Sequence, residues 1–175
     1  MEQSKDFEWL VKAIKNEFPN FEVVPKSSSW LMKGLYTFSL MRFWNPHFME
    51  VYITALFGKV YMPERFIGTQ IGYEVLRHEY VHLRDAARFP VLFELSYLFL
   101  PLPVIFTLRA YWEYRGYCES LLAEYERLGY VRASSLDFIV KQFTGSSYLW
   151  MFPFPKLLRR AFSNFLEVRR IAIKY

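Results

Sequence analysis

His78-Glu79-Tyr80-Val81-His82 sets two imidazoles four residues apart, with a carboxylate next to the first. On a helix, residues four apart stand one above the other, so His78 and His82 aim at a common point. Two neutral imidazoles there can hold one Zn²⁺ at about 2.0–2.1 Å. Glu79 is turned too far round the helix to bind the same ion easily, yet it can reach a water on it. That makes Glu79 a candidate general base, with the metal lowering the pKa of the water toward about 7.

A catalytic zinc takes a third protein ligand and leaves one position open. Four side chains are candidates. Asp85 shares the helix face of His78 but lies about 10 Å along the axis at 1.5 Å per residue, which suits an ion pair better than a ligand. His47, beside Pro46, reads as a loop histidine. Glu113 sits in Arg109-Ala-Tyr-Trp-Glu-Tyr-Arg-Gly-Tyr117 on a second long helix, with Arg109, Gly116 and Tyr117 on its face. Gly116, one turn from Glu113, has no side chain to keep another helix away. Glu119 is the alternative to Glu113. An oxyanion donor opposite the metal is also needed, and Tyr117, Arg109 and Tyr148 are the candidates. Tyr148 to Phe154 is expected to roof the cleft.

The HExxH helix, the apolar hairpin before it and a downstream helix carrying a glutamate together resemble the zincin metallopeptidases, and more narrowly their gluzincin branch. The resemblance covers about Val51 to Leu128. Val75, Leu76 and Leu83 are uncharged, as zincin flanks are; Arg84 stands where a hydrophobic residue is usual. Arg88, six residues past His82, occupies the place of the third histidine of the metzincins and excludes that branch. Glu113-Tyr-Arg-Gly116 is similar to the Glu-x-x-Ala of gluzincins, so the resemblance implies Glu113 as third ligand. Tyr117 stands where those proteins often carry an aspartate. The resemblance further implies a zinc-dependent peptidase acting on a peptide or protein substrate, with Tyr52 to Met62 supplying the strand that borders the cleft.

The elements needed to hold these residues can be read from periodicity. Phe7, Leu10, Val11, Ile14 and Phe18 fall on one face of a first helix capped by Ser4 and ended by Pro19-Asn20. Phe21 to Val24 reads as a strand. A second helix runs from Ser27–Ser29 to about Trp44. Val51 to Phe57 and Lys59 to Met62 form a hairpin around Gly58-Lys59. Long helices follow over about Phe66 to Arg88 and Thr107 to Leu128, the latter stopped by Gly129. A shorter helix follows Ser134-Ser135, and a last one starts at Pro155. The fold class is α+β: a mainly helical, zincin-like single domain over 1–175, with a small antiparallel sheet beside the HExxH helix.

Composition narrows the function. Hydrophobic residues are 53% of the 175, and the 13 Tyr, 18 Phe and 5 Trp exclude disorder. One cysteine, Cys118, excludes a disulfide framework and fits a reducing, cytoplasmic location. No secretory leader is visible in the acidic-polar first residues. The net charge of +5 arises after residue 155, where Lys156, Arg159, Arg160, Arg169, Arg170 and Lys174 face Glu167 alone. The neutral body argues against nucleic acid as partner. Phe89 to Leu108 is long enough to span a bilayer, but Glu94, Pro101 and Pro103 oppose it. A span would also part His82 from Glu113 by the bilayer thickness. Phe89, Leu92, Phe93, Tyr97 and Leu98 are expected to pack beside the zinc helices. The rival reading is an inactive zincin-fold scaffold touching a membrane surface through 89–108 or the basic C-terminal helix.

Overall fold

Helix α1, Lys5–Glu17, forms on the expected stripe: Phe7, Leu10 and Ile14 are its buried residues, while Asp6 and Glu8 in the first turn and Lys15 in the last oppose the helix dipole. The structure, a computed structural model, describes residues 5–38, 49–50, 52–56, 58–98, 103–145 and 150–175. Ser4, His47 and Tyr148 lie outside them, as do residues 39–44 of the predicted second helix and residues 148–149 at the start of the span expected to roof the cleft. The chain divides into two compact units, Met1–Leu83 and Arg84–Tyr175. The division falls inside helix α3, Gln70–Arg88, rather than in a linker.

In the first unit, β1 (Glu22–Pro25), β2 (Thr54–Leu56) and β3 (Lys59–Met62) make a sheet in the order β1-β3-β2. The hairpin is present, turned at Gly58 with φ of 73°. The sheet is nevertheless mixed and not antiparallel as expected: β1 runs parallel to β3, from Glu22 opposite Lys59 to Pro25 opposite Met62. A parallel neighbour requires a crossover, and α2 (Trp30–Phe38) lies on that connection. Alternation along β3 serves two clusters. Val60 and Met62 join the buried face of α1, Phe21 and Leu76 of α3, whereas Tyr61 meets Met32 of α2.

Helix α3 begins four residues later than predicted. Pro63 leads into a 3₁₀ turn, Glu64–Phe66, and the backbone reverses at Gly68, φ 74°. Thr69 then caps the helix: its Oγ1 accepts from the Gly72 N–H at 3.1 Å. Gly72 is obligatory there, since a Cβ would fall 1.9 Å from the Phe66 carbonyl oxygen. Further along, the Tyr80 hydroxyl donates to the Glu17 carboxylate of α1, and its ring meets Phe18 edge-on.

The second unit starts with the last turn of α3 and continues with α4 (Pro90–Leu98), α5 (Pro103–Leu128), β4 (Val131–Arg132), α6 (Ala133–Thr144), α7 (Pro155–Val168) and β5 (Ile173–Lys174). Gly129, φ 75°, ends α5 as predicted. α6 begins before the serine pair, so Ser135 lies within its first turn; its hydroxyl donates to Glu124 of α5 at 2.8 Å instead of capping. β4 and β5, both unforeseen, pair in parallel. Leu121, Val131, Leu136, Phe143, Leu158, Phe162 and Leu166 form the core of this unit.

The 89–108 stretch packs only in part as expected, and the side chains of Tyr97 and Leu98 lie outside the described ones. Pro90 starts a separate helix whose apolar residues are spread round it, and such a helix can bury only one side. Phe93 and Phe89 approach Trp112 of α5, each with ring centroids 5.8 Å away, but Phe89, Val91, Leu92 and Leu95 are exposed. Among the described residues no helix is long and apolar enough to cross a membrane.

Candidate metal centre

The histidine pair is a product of α3 alone. Helical spacing brings the two rings to a centroid distance of 4.7 Å, and the Nε2 atoms face each other 3.0 Å apart. Nitrogens bound tetrahedrally at about 2.0–2.1 Å from one ion would stand roughly 3.3 Å apart, so a few tenths of an ångström separate the pair from that spacing. Both histidines are buried, as is Glu79 between them in sequence.

Each of His78, His82 and Glu113 offers a ligand atom, and these atoms all lie within 4.8 Å of one another. It is the one group of three such ligands among the described residues. Glu113 is 4% exposed. Two imidazoles and one carboxylate form a donor set suited to zinc, with a fourth tetrahedral position left for water or substrate. The residues therefore fit the ion.

The remaining sequence candidates fall elsewhere. Asp85, in the last turn of α3, is buried and accepts from Arg115 Nε of α5 at 3.0 Å, the ion pair expected of it. Burial pushes its carboxyl above the usual range, and Arg115, foremost, then Arg88 pull it back. Glu119 does not join the cluster; at six residues from Glu113 it sits about 9 Å along the same helix. Tyr117 is half-buried, its ring 5.6 Å from Phe143 in the core of the second unit. Arg109 is half-buried too, with its Nε atom fully enclosed. Gly116 is buried, as a close helix approach requires. Cys118 is buried near Tyr114, and burial lifts its thiol to about 12, so the only cysteine of the chain is not a thiolate nucleophile.

One residue escaped the sequence reading. Lys26 opens the 3₁₀ turn Lys26–Ser28 that follows β1, and it is 1% exposed. Lysine is almost never so buried without a partner. Its ammonium interacts with the Glu79 carboxylate, which partly offsets a burial that lowers the lysine to about 7. Nothing in the sequence marks it: Pro25-Lys26-Ser27 reads as a solvated strand end.

No family model, no curated protein and no solved structure matches the chain.

Proposed function

We propose that the chain is a zinc-dependent metallopeptidase of the HExxH type, similar to the gluzincins and located in the cytoplasm. The observation that carries this reading is the buried convergence of His78, His82 and Glu113 ligand atoms within 4.8 Å, with Glu79 adjacent to the first ligand. His78, His82 and Glu113 would hold the ion. When bound, zinc supplies Lewis acidity to a peptide carbonyl and makes water a nucleophile near neutral pH. Glu79 takes the proton of the attacking water and delivers it to the leaving amine as the C–N bond breaks. Arg109 and Tyr117 remain the described candidates for stabilising the negative charge on the carbonyl oxygen.

The test joins metal content to hydrolysis. Protein purified without chelators should carry about one zinc per chain and cleave fluorescein-labelled casein or a mixed-sequence peptide library. Glu79→Gln should keep the zinc and lose hydrolysis by about 10²–10⁴-fold. Retained hydrolysis in that variant refutes the assignment.

A second reading rests on the exposed Val91, Leu92 and Leu95 of α4 and on Leu157 beside the exposed Lys156 and Arg160 of α7. Under it the chain is an inactive zincin-fold binding or scaffold protein that touches a membrane surface. Flotation with phosphatidylserine vesicles, absent with phosphatidylcholine alone, together with no cleavage of any peptide, would favour it.

A further inference from the structure

Helix α7 carries one apolar row more than its core contact uses. Leu158, Phe162 and Leu166, spaced by four, are its buried residues and belong to the core of the second unit. A helix packed on one side is expected to show polar residues on the other. Instead Leu157 is 59% and Val168 80% exposed, and Phe154, the capping residue before the first turn, is exposed as well. Phe154, Leu157, Ala161, Asn164 and Val168 follow one another by three or four residues, so they form a single row along the outer side of the helix, interrupted by Asn164. The segment that leads to Phe154 is anchored: Met151 is buried, and the Phe152 N–H donates to the Phe143 carbonyl at 3.2 Å.

Cations border this row. Lys156 and Arg160, four apart and exposed, run beside it, and neither has an ion-pair partner among the described residues. Arg159 is answered by Asp137 of α6. Past the helix end Arg169, Arg170 and Lys174 are exposed too, and Glu167 is the one acid after residue 155. Long basic side chains lay their stems along apolar surface and reach outward with the charge. Helix α4 differs in this respect: it exposes Val91, Leu92 and Leu95 but holds no lysine or arginine.

An apolar row flanked by cations suits a helix lying in the boundary layer of an anionic bilayer, with its apolar side chains about 5–10 Å deep and its bases near the phosphates. A stable protein interface engages about 20–30 residues a side, more than the outer side of a 14-residue helix presents, whereas binding to a bilayer accumulates side chain by side chain. We propose that the outer side of α7 docks on an anionic lipid surface, with Phe154, Leu157 and Val168 entering it and Lys156 and Arg160 meeting its phosphates. This rests on the membrane contact of the second reading, assigns that contact to α7 rather than α4, and holds whether or not the chain is a peptidase.

The experiment is flotation of the full chain with vesicles of phosphatidylcholine containing about one third phosphatidylserine, and with phosphatidylcholine alone. It compares wild type, Lys156→Gln/Arg160→Gln, Leu157→Ser/Val168→Ser and, on α4, Leu92→Ser/Leu95→Ser. Each base near an anionic surface is worth about fivefold in binding, so Lys156→Gln/Arg160→Gln should bind about 10–30-fold more weakly, and added salt should weaken the wild type in the same direction. Leu157→Ser/Val168→Ser should lose about tenfold. The substituted side chains are exposed, so urea midpoints should stay at the wild-type value and the α4 pair should float like wild type. Flotation lost in the α4 pair and kept in both α7 variants overturns the assignment to α7 and leaves the membrane contact of the second reading standing. A wild type that floats with neither vesicle overturns both. Equal flotation with phosphatidylcholine alone removes the role of the bases, and binding to soluble polyglutamate or self-association in sedimentation, without flotation, assigns the row to an acidic protein or a second copy; either result overturns the proposal. Hydrolysis is assayed separately and bears on the peptidase reading alone.

Discussion

Helix α5 carries two buried carboxylates three turns apart, and their surroundings differ in kind. Glu124 is 5% exposed and lies 2.5 Å from Arg132 Nε and 2.8 Å from the Ser135 hydroxyl. A permanent cation and a hydroxyl donor answer its charge, and the result is a tie between α5 and the β4–α6 corner. Glu113 is 4% exposed and keeps company with two imidazoles. Imidazole is neutral through most of the physiological range and is a metal ligand in that form. Burial is thus the same at both positions on the helix, and it distinguishes nothing. The chemistry of the partners separates a structural carboxylate from a candidate ligand.

The sharpest way to break this contrast is to remove each carboxylate in turn. Glu113→Ala should lose most bound zinc after dialysis against a weak chelator, a fall in affinity of about 10²-fold or more, measured by metal analysis and by competition with a chromophoric chelator. Glu124→Ala should keep its zinc. It should instead lower unfolding stability by about 1–3 kcal/mol in urea titration, less than a fully buried pair would cost because Arg132 is half-exposed. Zinc loss in Glu124→Ala, or none in Glu113→Ala, would erase the distinction.

A pH experiment probes the first unit. Folding lowers Lys26 to about 7 from its ordinary value near 10.5, so between these values the unfolded chain holds a proton that the folded chain has released. Stability of the metal-free protein should therefore rise with pH through this window, by roughly 1–2 kcal/mol between pH 7 and 9. Lys26→Met should flatten that slope. Urea titrations at four pH values decide it, and equal slopes would show that the lysine is solvated. The smallest effect belongs to α4: Leu95→Ser should change stability by no more than about 0.5 kcal/mol, because the side chain is exposed. A larger loss would mean that this face is covered.

How far the sequence could be read depended on how local the cause was. The histidine pair needs only helical spacing, and α3 delivers it. The end of α5 at Gly129 and the start of α7 at Pro155 follow from single residues with restricted or unusual backbone freedom. Glu113 was reached through family pattern and a glycine one turn away. Parallel pairing of β1 with β3 was not legible, because the 21–25 segment carries no mark of which neighbour it joins. β4 and β5 are too short for any period to show. Lys26 was invisible for a related reason: its burial is imposed by chain far from it in sequence, and a lysine after a proline looks like surface. The exposure of α4 misled the reading in the opposite sense. A run of apolar residues announces burial, yet a helix with apolar residues spread round it has more apolar surface than one side can cover.

The pairing of β4 with β5 has a consequence for the order of events during synthesis. The sheet of the first unit needs nothing beyond Met62, so it can form while the chain is still being made. The second unit joins Val131 to Ile173 and Arg132 to Lys174. Its small sheet cannot close until that last strand has left the ribosome. A nascent chain stalled before Ile173 would present an unclosed edge, a natural point for a chaperone to bind.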